Sequence, residues 1–239
     1  MSFHRVIPDK SMTEPDGTDW MIQRLHDLGA LPSARSHSHE LFERLRAAVR
    51  SSFNVPWTSI SPPMERLLYS IASNRRPAHI VCIGVFCGNT LIWNAGAACG
   101  PGKCYEASRI IGVDIKKHSI DIAEENLNKL GVDGRVELRA EDGHSTLDGV
   151  DFPIDLLYLD AMGPLPGTTG PATKRIYLSL LQRAYDRMAP GGLVVAHDTL
   201  PAWFVKDAGA YLDFVRDTAH FRMSASLEPD DLGLEVSVR

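Results

Sequence analysis

Between His79 and Ala98 the chain reads His-Ile-Val-Cys-Ile-Gly-Val-Phe-Cys-Gly-Asn-Thr-Leu-Ile-Trp-Asn-Ala-Gly-Ala-Ala, and no other stretch restricts the fold as much. Ile80 to Ile83 is a short apolar run of the kind that fills a parallel strand buried on both faces. Gly84 and Gly88 interrupt it, and helical spacing resumes beyond them. Strand, glycine turn and helix together let backbone approach a ligand at the carboxyl end of the strand, where a helix N-terminus offers unpaired N–H groups. A ligand carrying a carboxylate or phosphate is implied. A tight turn with close helix packing needs the same two glycines, so the rest of the chain has to decide.

From there the pattern alternates. It predicts strands at 78–83, 110–114, 136–140, 154–160 and 193–197, and helices reaching Ala98, over 119–130 up to Gly131, near Ser145, over 173–188 and over 205–218. Repeated β-α units with short connections require a parallel sheet with helices on both faces, because each crossover is right-handed and lies outside the sheet. The fold class is α/β, doubly wound. Two last runs, 221–227 and 234–238, have no room for a crossover between them and must pair antiparallel, as an edge hairpin. Upstream, Trp20, Met21, Ile22, Leu25 and Leu28 fall at helical spacing. Leu41, Leu45, Ala48, Val49 and Phe53 do so again after the Ser36-x-x-x-Glu40 stretch. Thr58 to Pro63 opens a third helix, 64–73, that feeds the first strand. Residues 1–17 are polar and aperiodic and read as a loosely docked tail. The organisation predicted is a tail and helical cap over 1–57 and a ligand-binding domain over 58–239.

A formal charge of −5 with both signs scattered gives no footprint for nucleic acid or an anionic membrane, which leaves a small molecule as the partner. No apolar run is long enough to span a bilayer, and the N-terminus lacks the order of a signal peptide, so the expected location is cytoplasmic. Cys82, Cys87, Cys99 and Cys104 form no Cys-x-x-Cys pair and read as reduced thiols.

Asp114 ends the second strand roughly 25 residues after Gly88, near the spacing at which one carboxylate takes both hydroxyls of a ribose. Asp142, after the third strand, is placed to accept from an exocyclic amine such as that of adenine. Acidic residues at strand ends also serve as caps. With the glycine turn, the two describe an adenosine site.

At this point Ile-Gly-Val-Phe-Cys-Gly-Asn-Thr-Leu-Ile resembles the first motif of class I S-adenosylmethionine-dependent methyltransferases, in particular the catechol and caffeoyl-CoA O-methyltransferase family. Gly-Val-Asp, Glu-Asp-Gly, Tyr-Leu-Asp-Ala, Gly-Gly-Leu-Val-Val-Ala-His-Asp and the final Asp-Asp-Leu-Gly-Leu-Glu-Val fall in register with it over 58–239. The resemblance implies a mainly parallel, seven-stranded Rossmann-like sheet with a reversed last strand, and S-adenosylmethionine as cofactor. It places Gly84 and Gly88 under the methionine portion, Asp114 on the ribose, Asp142 near the adenine and the sulfonium near Asp160. Cys82, Phe86, Asn89, Thr90, Ile115 and Gly143 complete the implied cofactor set, and a homodimer is implied as well.

Three departures bear on the reaction. Cys82 stands where the family carries an acidic residue facing the cofactor's amine, and a charge about 4 Å away at an effective dielectric of 20 is worth about 4 kcal/mol. Without it, an α-amine of pKa near 8 is closer to neutral and nucleophilic. Asp160 is followed by Ala-Met-Gly and a Gly/Pro-rich insertion to Pro171, where catechol-methylating relatives have a lysine base. The divalent-metal set would be Asp160 and Asp198, with His197 beside them. Three readings follow. The first is methyl transfer to a small acceptor, chiefly oxygen, with Asp160, His197 or Asp198 handling the proton directly or through a metal. The second is attack of the cofactor's own amine on its γ-carbon, as in azetidine-2-carboxylate synthases, with Tyr177 holding the amine or stacking on the sulfonium and Tyr158 and Trp203 nearby. The third is a non-catalytic adenosine-binding scaffold.

Overall fold

The computed structural model describes residues 3–35, 37–55, 60–132 and 134–239. Ser36, Thr58 and the boundary drawn at 57/58 lie outside the described residues. The described strands are β1 (Phe3–Val6), β2 (His79–Ile83), β3 (Arg109–Asp114), β4 (Val136–Ala140), β5 (Ile154–Leu159), β6 (Met188–His197), β7 (Met223–Leu227) and β8 (Leu234–Val238). The helices are α1 (Glu14–Asp27), α2 (His39–Ser52), α3 (Pro62–Arg75), α4 (Asn89–Ala95), α5 (Lys117–Lys129), α6 (Gly143–Asp148), α7 (Ile176–Ala184) and α8 (Ala202–Arg216). All eight strands form one sheet in the order β1-β7-β8-β6-β5-β2-β3-β4, in which β8 alone runs antiparallel to its neighbours.

Alternation along the strands builds two cores. Ile80 and Cys82 of β2, with Leu156 and Tyr158 of β5, face α1 to α4, while Val81 and Ile83, with Leu157 and Leu159, face α7 and α8. Strands covered on both faces carry apolar residues at every position, and their runs were visible in the sequence for that reason.

Three expectations are corrected. The sheet has eight strands, not seven, because Phe3–Val6 is no loose tail: it pairs parallel with β7 and buries Val6. Four residues at an edge are too few to display a period. Nor is the C-terminal pair an edge hairpin, since β8 inserts between β6 and β7 and β1 closes the outer side, which leaves every residue of β7 and β8 buried. Finally, α7 starts at Ile176 rather than Thr173, because Thr173 is held in a two-residue bridge to Gly163.

Candidate active site

A cavity of about 580 Å³ opens at the carboxyl ends of β2, β3, β5 and β6, within the range of sites for small ligands. Gly84 sits at the hinge of its wall with φ +88°, and a Cβ there would come within 2.5 Å of the Asp160 carbonyl oxygen. Only glycine allows the ends of β2 and β5 to meet so closely. Beyond it Phe86 takes a left-handed φ of 48°, which turns its N–H onto Asp114 Oδ2 at 3.0 Å, and the N–H of Lys116 bonds Asp114 Oδ1 at 2.9 Å. The carboxylate is fixed by two peptide groups and keeps a free lone pair on each oxygen. Asn89, at the start of α4 and in the cavity lining, accepts from Trp93 Nε1 through Oδ1 at 3.2 Å, leaving its buried Nδ2 with no partner in the protein. Asp142 caps α6 through the His144 N–H at 2.7 Å and also meets His144 Nδ1 at 2.8 Å. Burial opposes its ionisation, but these bonds hold its carboxyl below the usual carboxylate range.

The floor is a buried charge cluster. Lys174 Nζ lies 2.8 Å from Asp160 Oδ1 and 2.9 Å from Asp198 Oδ2, and donates to the Tyr177 hydroxyl at 2.8 Å. That hydroxyl in turn donates to the His197 carbonyl at 3.3 Å. The other carboxylate oxygens, Asp160 Oδ2 and Asp198 Oδ1, face His197 Nδ1 at 3.3 and 3.4 Å. Burial resists charge on every member. For Asp160 the cations Lys174 and His197 outweigh it and lower the carboxyl, and for His197 the carboxylates outweigh it and raise the imidazole. Lys174, pushed up by Tyr177, Asp160 and Asp198 against its own burial, stays an ammonium.

Of the residues singled out in the sequence, Gly84, Phe86, Asn89, Thr90, Asp114, Ile115, Asp142, Gly143, Asp160, His197 and Asp198 line this cavity. Four do not. Cys82 is wholly buried among apolar side chains on the α1-to-α4 face, where burial pushes its thiol up and keeps it neutral. Gly88 turns the backbone (φ +84°) against Ala123 of α5, behind the wall. Tyr177 lies beneath Lys174 and cannot reach a ligand, and Trp203 is half-exposed on α8.

The lysine expected directly after Asp160 is absent there, yet a lysine occupies the site. The excursion after β5 is closed by the Gly163–Thr173 bridge, whose two backbone bonds of 2.9 and 3.2 Å return the chain so that the next residue, Lys174, points at Asp160. No local spacing could have revealed it, because its position depends on how the loop closes.

Asp160, His197 and Asp198 each offer a ligand atom within 4.8 Å of the others. The set does not fit a divalent ion as it stands. Lys174 already takes one oxygen from each carboxylate and cancels one of their two charges, whereas hard divalent ions draw their affinity from accumulated carboxylate charge.

A family profile described as a methyltransferase domain matches residues 81–199. A protein of Arabidopsis thaliana, named provisionally as a caffeoyl-CoA O-methyltransferase, is 26% identical over 176 residues, 72% of this chain and 68% of its own length. Among solved structures, the O-methyltransferase TomG of Streptomyces achromogenes, involved in tomaymycin synthesis and bound to S-adenosylmethionine, superposes with a TM-score of 0.60 at 21% identity, covering 85% of this chain and 91% of its own. An O-methyltransferase of Bacillus cereus in complex with S-adenosylhomocysteine gives 0.59 at 17% identity, covering 91% and 96%. At such identities the superpositions speak to the fold. No helix among the described residues is long and apolar enough to cross a membrane.

Proposed function

Because this chain belongs to the class I S-adenosylmethionine-dependent methyltransferases, we propose that it moves the methyl group of that cofactor to an oxygen of a small-molecule acceptor. The observation that carries the reading is Asp114: pinned by two peptide N–H groups at the tip of β3, it turns two acceptor sites toward the cavity, as the neighbouring hydroxyls of a ribose require. Asn89 Nδ2, a buried donor lacking a protein partner, is suited to the carboxylate of the methionine portion. Asp142 stands on the same wall for the adenine amine. When bound, the cofactor supplies an electrophilic methyl carbon.

The chain supplies position and a proton acceptor. Lys174 cannot accept a proton, because its three N–H groups are all engaged and it has no lone pair. His197 can: Nε2 has no partner in the protein, the residue lines the cavity, and Nδ1 faces two carboxylates that stabilise the imidazolium formed. The acceptor hydroxyl therefore gives its proton to His197, while Lys174 keeps Asp160 and Asp198 from repelling each other.

A second reading, ring closure on the cofactor itself, is favoured by one observation. Lys174 already neutralises much of the Asp160–Asp198 pair, so the floor holds little free negative charge to keep an α-amine protonated, and the neutral Cys82 thiol adds none. In that step a bond forms from the amine nitrogen to the γ-carbon, the γ-carbon–sulfur bond breaks, methylthioadenosine leaves and His197 takes the ammonium proton.

Incubation of the purified protein with S-adenosylmethionine, followed by chromatography, separates the readings. Methyl transfer predicts S-adenosylhomocysteine only once an acceptor is added, ring closure predicts methylthioadenosine without one, and neither product with tight binding makes the chain a scaffold. No heat on calorimetric titration with either cofactor or S-adenosylhomocysteine would defeat all three.

A further inference from the structure

We propose that Lys174 is the resident cation of this site, standing in the role a divalent ion would fill between Asp160 and Asp198, and that removing its charge turns Asp160, His197 and Asp198 into a divalent-cation site. The inference concerns the protein's own side chains and does not depend on which cofactor the cavity takes.

Two carboxylates on neighbouring strand ends, β5 and β6, repel one another unless a cation lies between them. Asp160 follows β5 directly, and Asp198, which follows β6, is held with a left-handed φ of 62°. Such a backbone costs an aspartate of order 1 kcal/mol or more and persists only where its surroundings fix it. The groups that hold the pair together are known. Lys174 is only 2% exposed, and its three donors have three acceptors: Asp160 Oδ1, Asp198 Oδ2 and the Tyr177 hydroxyl. Tyr177 passes the contact on to the His197 carbonyl, so one ammonium ties the ends of β5 and β6 to α7. This is the bridging and charge-cancelling work that a metal would do.

Space and charge both argue against a second cation. With Lys174 in place the ammonium already cancels one of the two carboxylate charges, and the remaining oxygens face His197 Nδ1 rather than one another. Without the ammonium the same three side chains bring ligand atoms within 4.8 Å of each other at the foot of an open cavity, which is the geometry of a carboxylate-imidazole site. The loop that returns Lys174, closed by the Gly163–Thr173 bridge, is then the element that makes the site independent of a metal.

The test is uptake of Mn²⁺ by chelator-treated, cofactor-free protein, read by the electron paramagnetic resonance of the free ion. Wild type is expected to take up none stoichiometrically and to keep its activity in chelator. Lys174→Met, which keeps the length and removes the charge, is expected to bind one ion about 10- to 1,000-fold more tightly, the range over which one neighbouring charge moves an ionisation equilibrium. A further Asp198→Asn change should abolish that uptake, and Lys174→Arg should behave as wild type. Should Lys174→Met not fold, Lys174→Gln takes its place, since its amide can still donate to Tyr177. Stoichiometric Mn²⁺ uptake by wild type that is lost in Asp198→Asn overturns the proposal, because the ion then sits beside Lys174 rather than being replaced by it. A folded charge-free variant that binds no Mn²⁺ overturns it equally. Calorimetry of wild type with S-adenosylmethionine is a separate measurement, and its failure would touch the proposed function and leave this result standing.

Discussion

Two charge clusters, one under the N-terminal helices and one on the floor of the cavity, are built on different cations. In the first, Arg46 of α2 and Arg66 of α3 both reach Glu14 Oε1 of α1, at 2.5 and 2.6 Å, while Arg66 also bonds Glu43 and both guanidiniums lie over the Phe42 ring at 4.2 Å. A planar guanidinium with five donors can satisfy several partners and an aromatic face at once, which suits a joint between three helices. In the second, Lys174 presents a compact charge to two carboxylates beside open space. The first cluster lies away from the cavity wall; the second places His197, its Nδ1 facing Asp160 and Asp198, in that wall. Similar burial therefore serves attachment in one place and chemistry in the other.

Substitution at the two anchors should break that comparison or uphold it. Arg66→Ala removes a buried guanidinium and its bonds to Glu14 and Glu43, both of which still face Arg46, and is expected to cost about 1–3 kcal/mol of stability. Below its melting transition, the variant should bind S-adenosylmethionine with unchanged affinity. Asp160→Ala should cost a similar amount, since it leaves Lys174 facing one carboxylate, and should also lower turnover by at least about 100-fold, because His197 loses a group that stabilises its charged form. Chemical denaturation paired with calorimetry and turnover measures both. A loss of cofactor affinity in folded Arg66→Ala would mean that the clusters are not separable.

The response to pH sharpens the contrast, because the histidine of each cluster is shifted in the opposite direction. His37 is pushed down to about 3 by burial first and then by the charges of His39, Arg66 and Arg46, and Arg66 Nη1 lies 3.2 Å from its Nε2, which favours the neutral ring. Its ordinary value is about 6.5, so between those values the unfolded chain binds a proton that the native chain does not. Stability present above about 6.5 is thus lost as the pH falls toward 3, by on the order of a few kcal/mol. His197 is raised, its carboxylate neighbours outweighing burial, so its contribution is full below about 6.5 and is lost as the pH rises through its native value. Thermal melts against pH should show that His37→Asn flattens the acid limb and His197→Asn the alkaline limb. In wild type, kcat/KM for methyl transfer should climb with pH through an apparent pKa above 6.5, since His197 must be neutral to accept a proton.

What the sequence disclosed about these regions follows from locality. The strands of the centre are buried on both faces and announce themselves as apolar runs, and Gly84, Asp114 and Asp142 stand at strand ends whose spacing along the chain is fixed by single β-α units. Parity along β2 already contained the correction to Cys82, which shares a face with Ile80 and so points into the α1-to-α4 core rather than toward the cavity. Lys174 was hidden because it is delivered by closure of a loop rather than by a period. Amphipathic spacing and a helix-entry signal identified α1, α2 and α3 without telling which of their charges were inward, since Arg46 of α2 and Arg66 of α3 bury long side chains whose guanidiniums need partners on other helices. The place of β8 between β6 and β7 is a choice between sheet edges that no hairpin sequence encodes.

The smallest expected effect concerns the strand that the sequence hid altogether. Arg216 of α8 lies over the Phe3 ring of β1 at 3.9 Å and makes two bonds of 2.9 Å to Glu235 of β8, which is fully buried. The guanidinium is therefore held by Glu235 whether or not the ring is present. Phe3→Ala removes only the ring contact and part of the apolar cover of β1, about 1 kcal/mol, or a lowering of Tm by about 2–4 °C for a chain of this size. Glu235→Gln, by contrast, removes the charge that two 2.9 Å bonds from the partly exposed Arg216 satisfy at a fully buried position, and should cost more than Phe3→Ala. β1 also covers the outer edge of β7, so loosening it should raise aggregation in light scattering more than the small change in Tm would predict. A Phe3→Ala protein that melts and scatters like wild type would mean that β1 adds neither stability nor edge protection, and the eighth strand would then be packing without consequence.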